Sequence, residues 1–186
     1  MKLSKFFYFD LFLSFSSLLL FLVMTPDIAS VVLFFSLIIY LFLTKRMSLF
    51  YHLILSFVLS FLWMFIAKDW YNYHTQGIYI FGIRIFTLLS WTLGLFIVYL
   101  IYSHLKYLVV KKSVFFNIGL FTIIYWPLLL IAETVGYHVF NIKNFEGVYS
   151  GLPICDCMHA VWWMKLAYFS LGIIYIISCY VLSLEK

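Results

Sequence analysis

The sequence predicts an all-α protein, a polytopic bundle of about six transmembrane helices that forms a single membrane domain over residues 1–186. Two observations support this fold class. Of the 186 residues, 66% are hydrophobic and only 10% are charged, which leaves too little polar surface for a soluble globule of this size. The apolar residues also fall into runs that approach the roughly 20 residues that a helix needs to cross the hydrocarbon core.

The apolar runs lie near residues 6–24, 28–44, 49–67, 78–102, 114–132 and 160–184. The first follows Lys2 and Lys5 and is longer than the roughly 7–15 apolar residues of a signal peptide. We therefore interpret it as an uncleaved span, with cleavage after Ala29 as the alternative. The second run is short, and the fourth contains Arg84, so this helix can begin several residues later. The third, fifth and sixth runs are each interpreted as one membrane span.

Basic residues between the runs fall on one side of a six-span bundle. They are Lys2, Lys5, Lys45, Arg46, Lys106, Lys111, Lys112 and Lys186. The positive-inside rule predicts that this side, with both termini, is cytoplasmic. The formal charge of +5 then reflects topology, and no nucleic-acid partner is predicted. The opposite side mixes acids, bases, His, Tyr and Trp, so we expect any chemistry there; the alternative is that outer loops merely escape the charge bias.

Two segments share the same order of chemical groups, which suggests an internal repeat. Residues 69–91 and 133–162 each run through an acid, Tyr-His, Gly-x-x-Ile and Trp. In both copies the acid ends one span and the Trp lies in the next, so the copies form a parallel repeat. Such a repeat would bring Asp69 and Glu133 face to face. Chance similarity among Tyr-rich interfacial segments is the competing explanation.

Glu133 and Asp69 are the candidate catalytic acids. Glu133 follows a run of aliphatic residues, and a carboxylate at the membrane boundary is costly unless it is paired or protonated. Two neighbouring acids can keep a proton and deliver it, as a general acid must. The alternative is a salt bridge to Arg84 or Lys165, or interfacial solvation.

His74 and His138 each follow a tyrosine near the same boundary. An imidazole there can relay a proton or orient a carboxylate, so both are included among the candidate catalytic residues. Interfacial Tyr and His are also ordinary anchors of a membrane helix, and this interpretation stays open.

A further set of residues is predicted to bind substrate. It comprises Arg84, Lys165, Trp91, Trp162, Tyr137 and Tyr73. The two cations can grip an anionic headgroup, while the ring faces can stabilise a developing cation. Snorkelling or structural pairing of the cations and an interfacial aromatic belt are the alternatives.

The stretch from Cys155 to His159 has the most singular local pattern. In an extended strand Cys155, Cys157 and His159 project to one face, and two thiolates with an imidazole suit zinc or copper. No fourth ligand is evident. A redox thiol pair and a structural or disulfide role are the other interpretations; the structural or disulfide role is preferred, and the redox state of the two cysteines is left open. Phosphate loops, nucleophile elbows, His-Glu-x-x-His motifs and nucleotide-binding fingerprints are missing from the sequence, which disfavours ATP-driven and metalloprotease chemistry. No cofactor is predicted.

The stretch from Phe81 to Trp91, preceded by residues 71–74, resembles the carotenoid-biosynthesis membrane proteins. This group includes the membrane hydratases of acyclic carotenoids and the small-subunit type of lycopene cyclase. The shared pattern is a Tyr-rich loop, a Phe-Gly-x-Pro-like turn and a Trp-bearing helix, echoed from Tyr149 to Trp162. Arg84 stands where proline is expected, and the consecutive acids of the cyclases are missing.

The resemblance implies a reaction type and not a specific substrate. It implies protonation, cyclisation or hydration of an isoprenoid double bond without a redox cofactor, which is lyase or isomerase chemistry, with Asp69 and Glu133 as the equivalent acids. The sequence thus predicts a membrane-embedded enzyme for a lipid-soluble, isoprenoid substrate, with an apolar cavity that carries both acids. The alternatives are a small transporter or channel, and a non-catalytic subunit that binds lipid or a partner; homo- or hetero-oligomers stay open.

Overall fold

A computed structural model of the chain describes residues 6–71, 77–106, 113–142 and 149–185. These ranges contain six α-helices, namely α1 (Phe7–Val23), α2 (Pro26–Leu43), α3 (Met47–Ala67), α4 (Ile85–Lys106), α5 (Val114–His138) and α6 (Trp162–Val181). A 3-10 turn (Lys68–Trp70) follows α3. Strands β1 (Tyr79–Ile80) and β2 (Ile83–Arg84) form an antiparallel hairpin before α4.

The prediction of an all-α membrane protein is confirmed. Five helices, α2 to α6, are long and apolar enough to cross a membrane. Helix α1, with 17 residues, is shorter than these five. The observed helices follow the predicted apolar runs in order, and in position except at the start of α4 and the end of α5. Runs of this length and composition favour helix wherever backbone groups must be satisfied internally.

The fourth span begins several residues after the start of its apolar run, as the alternative in the sequence analysis allowed, because the chain turns back on itself before α4. Phe81 and Gly82 have positive φ angles of 53° and 75°, as the two central residues of a type I′ hairpin turn require. This turn pairs Ile80 with Ile83. Helix α4 therefore begins at Ile85, seven residues after the predicted start at Ile78.

Helix α5 is longer than its apolar run. Its first turn is capped by Ser113, whose hydroxyl accepts a hydrogen bond from the backbone N–H of Phe116 at 3.3 Å, a preferred N-cap arrangement. The helix continues past residue 132 to His138, because polar residues end an apolar run without ending a helix. Glu133 therefore lies inside α5.

Helix α4 is the centre of the bundle. It contacts α1, α2, α3 and α5, while α6 packs against α3 and α5. Of the five long apolar helices, α4 is also the most extensively buried. A helix surrounded in this way can line a cavity between its neighbours.

A buried ionic cluster joins four segments at one end of the bundle, which we call the basic end. Asp10 of α1 accepts hydrogen bonds from Tyr40 (2.5 Å) and Arg46 (2.7 Å). The Nε2 atom of His104 lies 2.6 Å from the Asp10 carboxylate. A buried carboxylate needs such partners, so the cluster fixes the ends of α2 and α4 and the α2–α3 turn against α1. The sequence analysis assigned no role to His104.

A second buried ion pair lies at the opposite end, which we call the hairpin end. Arg84, whose side chain is 2% exposed, donates to Asp27 at 2.8 Å. Asp27 also accepts from the backbone N–H of Phe86 at 3.3 Å. Pro26 begins α2 and places Asp27 in its first turn, where a carboxylate is favoured. Arg84 thus pairs with Asp27, and its alternative pairing with Glu133 or Asp69 is not among the ion pairs of the described residues.

Candidate functional site

A partly open cavity of about 360 Å³ lies between α1, α4 and α5. Apolar side chains make up most of its wall. Its polar and ring-bearing members near α5 include Tyr71, Ser90, Trp91, Tyr125, Glu133, Tyr137, His159 and Tyr168. A concave, mainly apolar site with a few convergent polar groups is the usual form of a small-molecule site.

Glu133 is the one carboxyl group on the described part of the cavity wall. It lies on α5 and has no hydrogen bond or ion pair with any described residue. A charged carboxylate in such surroundings is costly. An unpaired acid beside an apolar cavity is therefore the strongest candidate for a functional group in the chain.

Tyr71 is the centre of a polar aromatic cluster on the cavity wall. Its hydroxyl donates to the Tyr168 hydroxyl at 2.7 Å and accepts from the indole N–H groups of Trp63 (3.2 Å) and Trp91 (3.1 Å). Burial raises the pKa of the Tyr71 phenol, so the phenol stays neutral and keeps its proton for Tyr168. The cluster links the segment after α3 to α4 and α6.

Tyr125 forms the floor of the cavity next to this cluster. Its hydroxyl donates to the backbone carbonyl of Tyr168 at 2.5 Å. Its ring lies against Gly172 of α6, where a Cβ atom would stand 2.4 Å from the Tyr125 Cδ1 atom. Only glycine leaves room for the ring at this crossing, so Gly172 sets the position of Tyr125.

Gly172→Ala is expected to destabilise the protein by about 1–3 kcal/mol, because an added methyl group in a packed interior forces its neighbours to move. The matched control is Gly119→Ala in α5, where nothing lies within 4 Å of an added Cβ. Unfolding midpoints of both variants in the same detergent test the prediction. Equal midpoints for the two variants would contradict the close packing of Tyr125 on Gly172.

Three of the sequence-predicted site residues line the cavity together: Glu133, Trp91 and Tyr137. Asp69 lies in the exposed 3-10 turn after α3 and is not part of the cavity wall. The expected juxtaposition of the two acids is therefore not found. Trp162 is 73% exposed at the start of α6, away from the cavity wall.

Two further predicted residues, Lys165 and Arg84, have partners away from the cavity. Lys165 donates to the backbone carbonyl of Ser150 at 2.6 Å, which anchors a loop and does not face the cavity. Arg84 is held by Asp27, as described above. Tyr73 and His74 lie outside the described residues. The proposed repeat consequently cannot be compared at its Tyr-His step.

Residues 149–161 form a loop, here called the cap, that packs on α5. His138 places its Nε2 atom 3.3 Å from the carbonyl oxygen of Cys155, and the ring of His159 stacks on Tyr137 with 4.1 Å between centroids. Cap residues 158–160 reach the cavity wall. His138 thus holds the cap and is not part of the cavity wall.

Cys155 and Cys157 are joined in a disulfide, which is the preferred sequence interpretation. The metal alternative with His159 loses support, because sulfurs joined to each other cannot bind a cation as thiolates. Within the described ranges no group of three or more His, Cys, Asp or Glu side chains could hold a metal ion.

The sequence analysis missed Tyr71, Tyr125 and Tyr168. Tyr125 and Tyr168 lie in apolar runs, and a tyrosine deep in such a run, away from the interfacial belt, is the signal that could have marked them. A buried phenol needs a hydrogen-bond partner, and these three residues satisfy one another.

The fold and the cavity define the chain as a multi-pass helical membrane protein with a partly open, mainly apolar cavity. Comparison with family models, with curated proteins and with solved structures finds no match.

Proposed function

We propose that the chain is a membrane-embedded enzyme that acts on a lipid-soluble, isoprenoid substrate by acid–base chemistry. The observation that carries the proposal is the apolar cavity of about 360 Å³ with Glu133 on its wall and with aromatic rings around it. The apolar wall suits a hydrocarbon ligand, and the single acid suits a reaction that begins with one proton. A substrate of this kind would enter from the bilayer.

The chemistry assigned to Glu133 is proton transfer to a carbon–carbon double bond. The neutral carboxyl group gives its proton to one alkene carbon, and the adjacent carbon becomes a cation. The faces of Trp91, Tyr125 and Tyr168 stabilise this cation. Return of a different proton to the Glu133 carboxylate completes an isomerisation or cyclisation. Hydration is completed when water adds to the cation and the resulting oxonium gives a proton back to the Glu133 carboxylate. Neither route needs a redox cofactor.

The resemblance to carotenoid-biosynthesis membrane proteins supports this choice of substrate class. In the same proposal, α1 is a sixth span, both termini are cytoplasmic, and residues 69–91 and 133–162 are parallel repeats. The basic end, which carries Arg46 and Lys106, then faces the cytoplasm. Glu133 and the cap lie toward the opposite face.

A non-catalytic lipid-binding subunit is the second candidate. The exposure of Asp69 favours it, because the cavity then lacks the second acid that the sequence analysis expected. A binding protein needs the cavity and not the proton of Glu133. Both candidates therefore predict a lipid bound in the cavity, but only the enzyme converts that lipid into a product.

Turnover of defined lipids distinguishes the two candidates. The purified wild-type protein is incubated in mild detergent with an acyclic polyene, a prenyl quinone and a prenyl alcohol, and the products are separated by chromatography and mass spectrometry. The enzyme is expected to convert one class into a product of unchanged mass, or of a mass larger by one water. Binding without conversion of any class would favour the lipid-binding subunit.

A further inference from the structure

The disulfide between Cys155 and Cys157 closes a tight turn within the cap. The Leu152 backbone N–H donates to the Cys157 carbonyl at 2.8 Å, and the Asp156 N–H donates to the Leu152 carbonyl at 2.8 Å. One residue separates the two cysteines. Because only this residue lies between them, the disulfide closes a very small loop. The backbone hydrogen bonds also hold the two ends of the turn together.

The backbone around the disulfide adopts conformations that non-glycine residues disfavour. Asp156, between the cysteines, has a φ angle of 43°, and Met158 has a φ angle of 55°. Each left-handed non-glycine residue costs roughly 1–2 kcal/mol. The disulfide is closed across this strained backbone, and strained disulfides are the more readily reduced ones.

The two sulfur-bearing residues differ in exposure. Cys155 is partly exposed, whereas Cys157 is 0% exposed and packs in the hydrophobic core. An incoming thiolate can therefore reach the side of Cys155. The buried partner is then the leaving group, and it stays close to the attacked sulfur because the turn holds it there.

Neighbouring side chains hold the turn in place independently of the disulfide. The Nε2 atoms of His138 and His159 lie 3.2 Å and 3.0 Å from the Asp156 carbonyl oxygen. Gly151 packs beneath it, where a Cβ atom would stand 2.7 Å from the Asp156 carboxylate. The turn can therefore keep the two sulfurs adjacent after reduction, as reversible exchange requires.

We propose that Cys155 and Cys157 form an exchangeable disulfide whose substrates are thiol reductants at the hairpin end of the bundle. A donor thiolate attacks the sulfur of Cys155, the bond between the cysteines breaks, and Cys157 leaves as a thiolate that takes up a proton. A second donor thiol then attacks the donor sulfur of the mixed disulfide. Cys155 is released as a thiol, and two donor thiols have become one donor disulfide. This proposal does not depend on the isoprenoid chemistry.

Equilibration with glutathione tests the proposal on the full-length protein. The purified protein is incubated with reduced and oxidised glutathione at millimolar concentration, quenched with acid, unfolded and alkylated with a maleimide. We expect the mass to rise from one adduct, on the free Cys179, to three adducts as the reduced fraction of glutathione increases. Retention of one adduct under all these conditions, as for a stable structural disulfide, would overturn the proposal.

Single-cysteine variants test the direction of attack. Cys157→Ser is expected to accumulate a glutathione adduct on Cys155, whereas Cys155→Ser is expected to give several-fold less adduct on the buried Cys157. Unfolding midpoints of both variants in detergent show whether each folds. Equal adduct on the two variants, when both are folded, would contradict the assigned exposure and with it the proposed step.

Discussion

Glu133→Gln is expected to lower the rate of isoprenoid turnover by about 10²–10⁴-fold, the range over which a positioned general acid acts. Glutamine keeps the size and polarity of the side chain but cannot give up a proton to an alkene carbon. Because Glu133 has no hydrogen bond or ion pair with any described residue, the substitution breaks no described contact. Initial rates of the purified protein on the substrate class identified above measure the effect.

Two variants control for this experiment. Thr134→Val changes the next residue of α5, whose hydroxyl donates to the Leu130 carbonyl of its own helix at 2.7 Å, and it should keep its rate within a few-fold. Asp69→Asn tests whether the sequence pattern or the position on the cavity wall identifies the catalytic acid, because Asp69 is exposed and is not part of that wall. Equal losses in the Glu133 and Asp69 variants would restore the two-acid hypothesis. If Glu133→Gln were as fast as wild type, Glu133 would not be the general acid.

Arg84→Met is expected to destabilise the fold by about 3–5 kcal/mol, the cost of leaving a buried charge without its partner. Asp27 would lose the 2.8 Å contact to the guanidinium and would retain only weaker backbone donors, such as the N–H of Phe86. The link between α2 and the start of α4 would loosen. Unfolding in detergent, followed by tryptophan fluorescence, gives the free energy of unfolding.

The double variant Asp27→Asn with Arg84→Met serves as the control for charge. Removing both charges leaves no ion unpaired, so part of the lost stability should return. Arg84→Met with wild-type stability would show that the pair is not buried as described. A double variant that is as unstable as the sum of the two single variants would show that the partners act independently.

The length and composition of the apolar runs made the membrane fold predictable. The start of α4, in contrast, depends on the residues of one hairpin turn. Five of the six predicted apolar runs, including the short second one, became the five long apolar helices, because length and hydropathy suffice for that prediction. The hairpin before α4 was missed, since its positive φ angles at Phe81 and Gly82 interrupt a run that remains apolar. The extent of α5 beyond residue 132 was also missed, because polar residues end the apolar run there while the helix continues.

The candidate site was only partly predictable, because it depends on contacts between distant segments. Glu133 could be singled out as an acid at the end of an apolar run, and Trp91 and Tyr137 as aromatic neighbours. The partner of Arg84 could not be predicted, since Asp27 is 57 residues away in the chain. Likewise, Tyr71 and Tyr168 meet across 97 residues, and no spacing in the sequence predicts that pair.

The measurement that tests the central claim most directly is the identity of the lipid held in the cavity. Gly94 lies on the cavity wall, and nothing lies within 4 Å of an added Cβ there, so Gly94→Phe can place a ring in open space. Gly119→Phe is the matched control, because Gly119 is equally open and is not part of the wall. Each protein is purified in mild detergent, extracted with organic solvent and analysed by mass spectrometry.

The account predicts that an isoprenoid lipid co-purifies with the wild-type protein and with Gly119→Phe, and that it is lost from Gly94→Phe. Only bulk phospholipid in all three preparations, or the same isoprenoid content in all three, would contradict a cavity that binds the substrate.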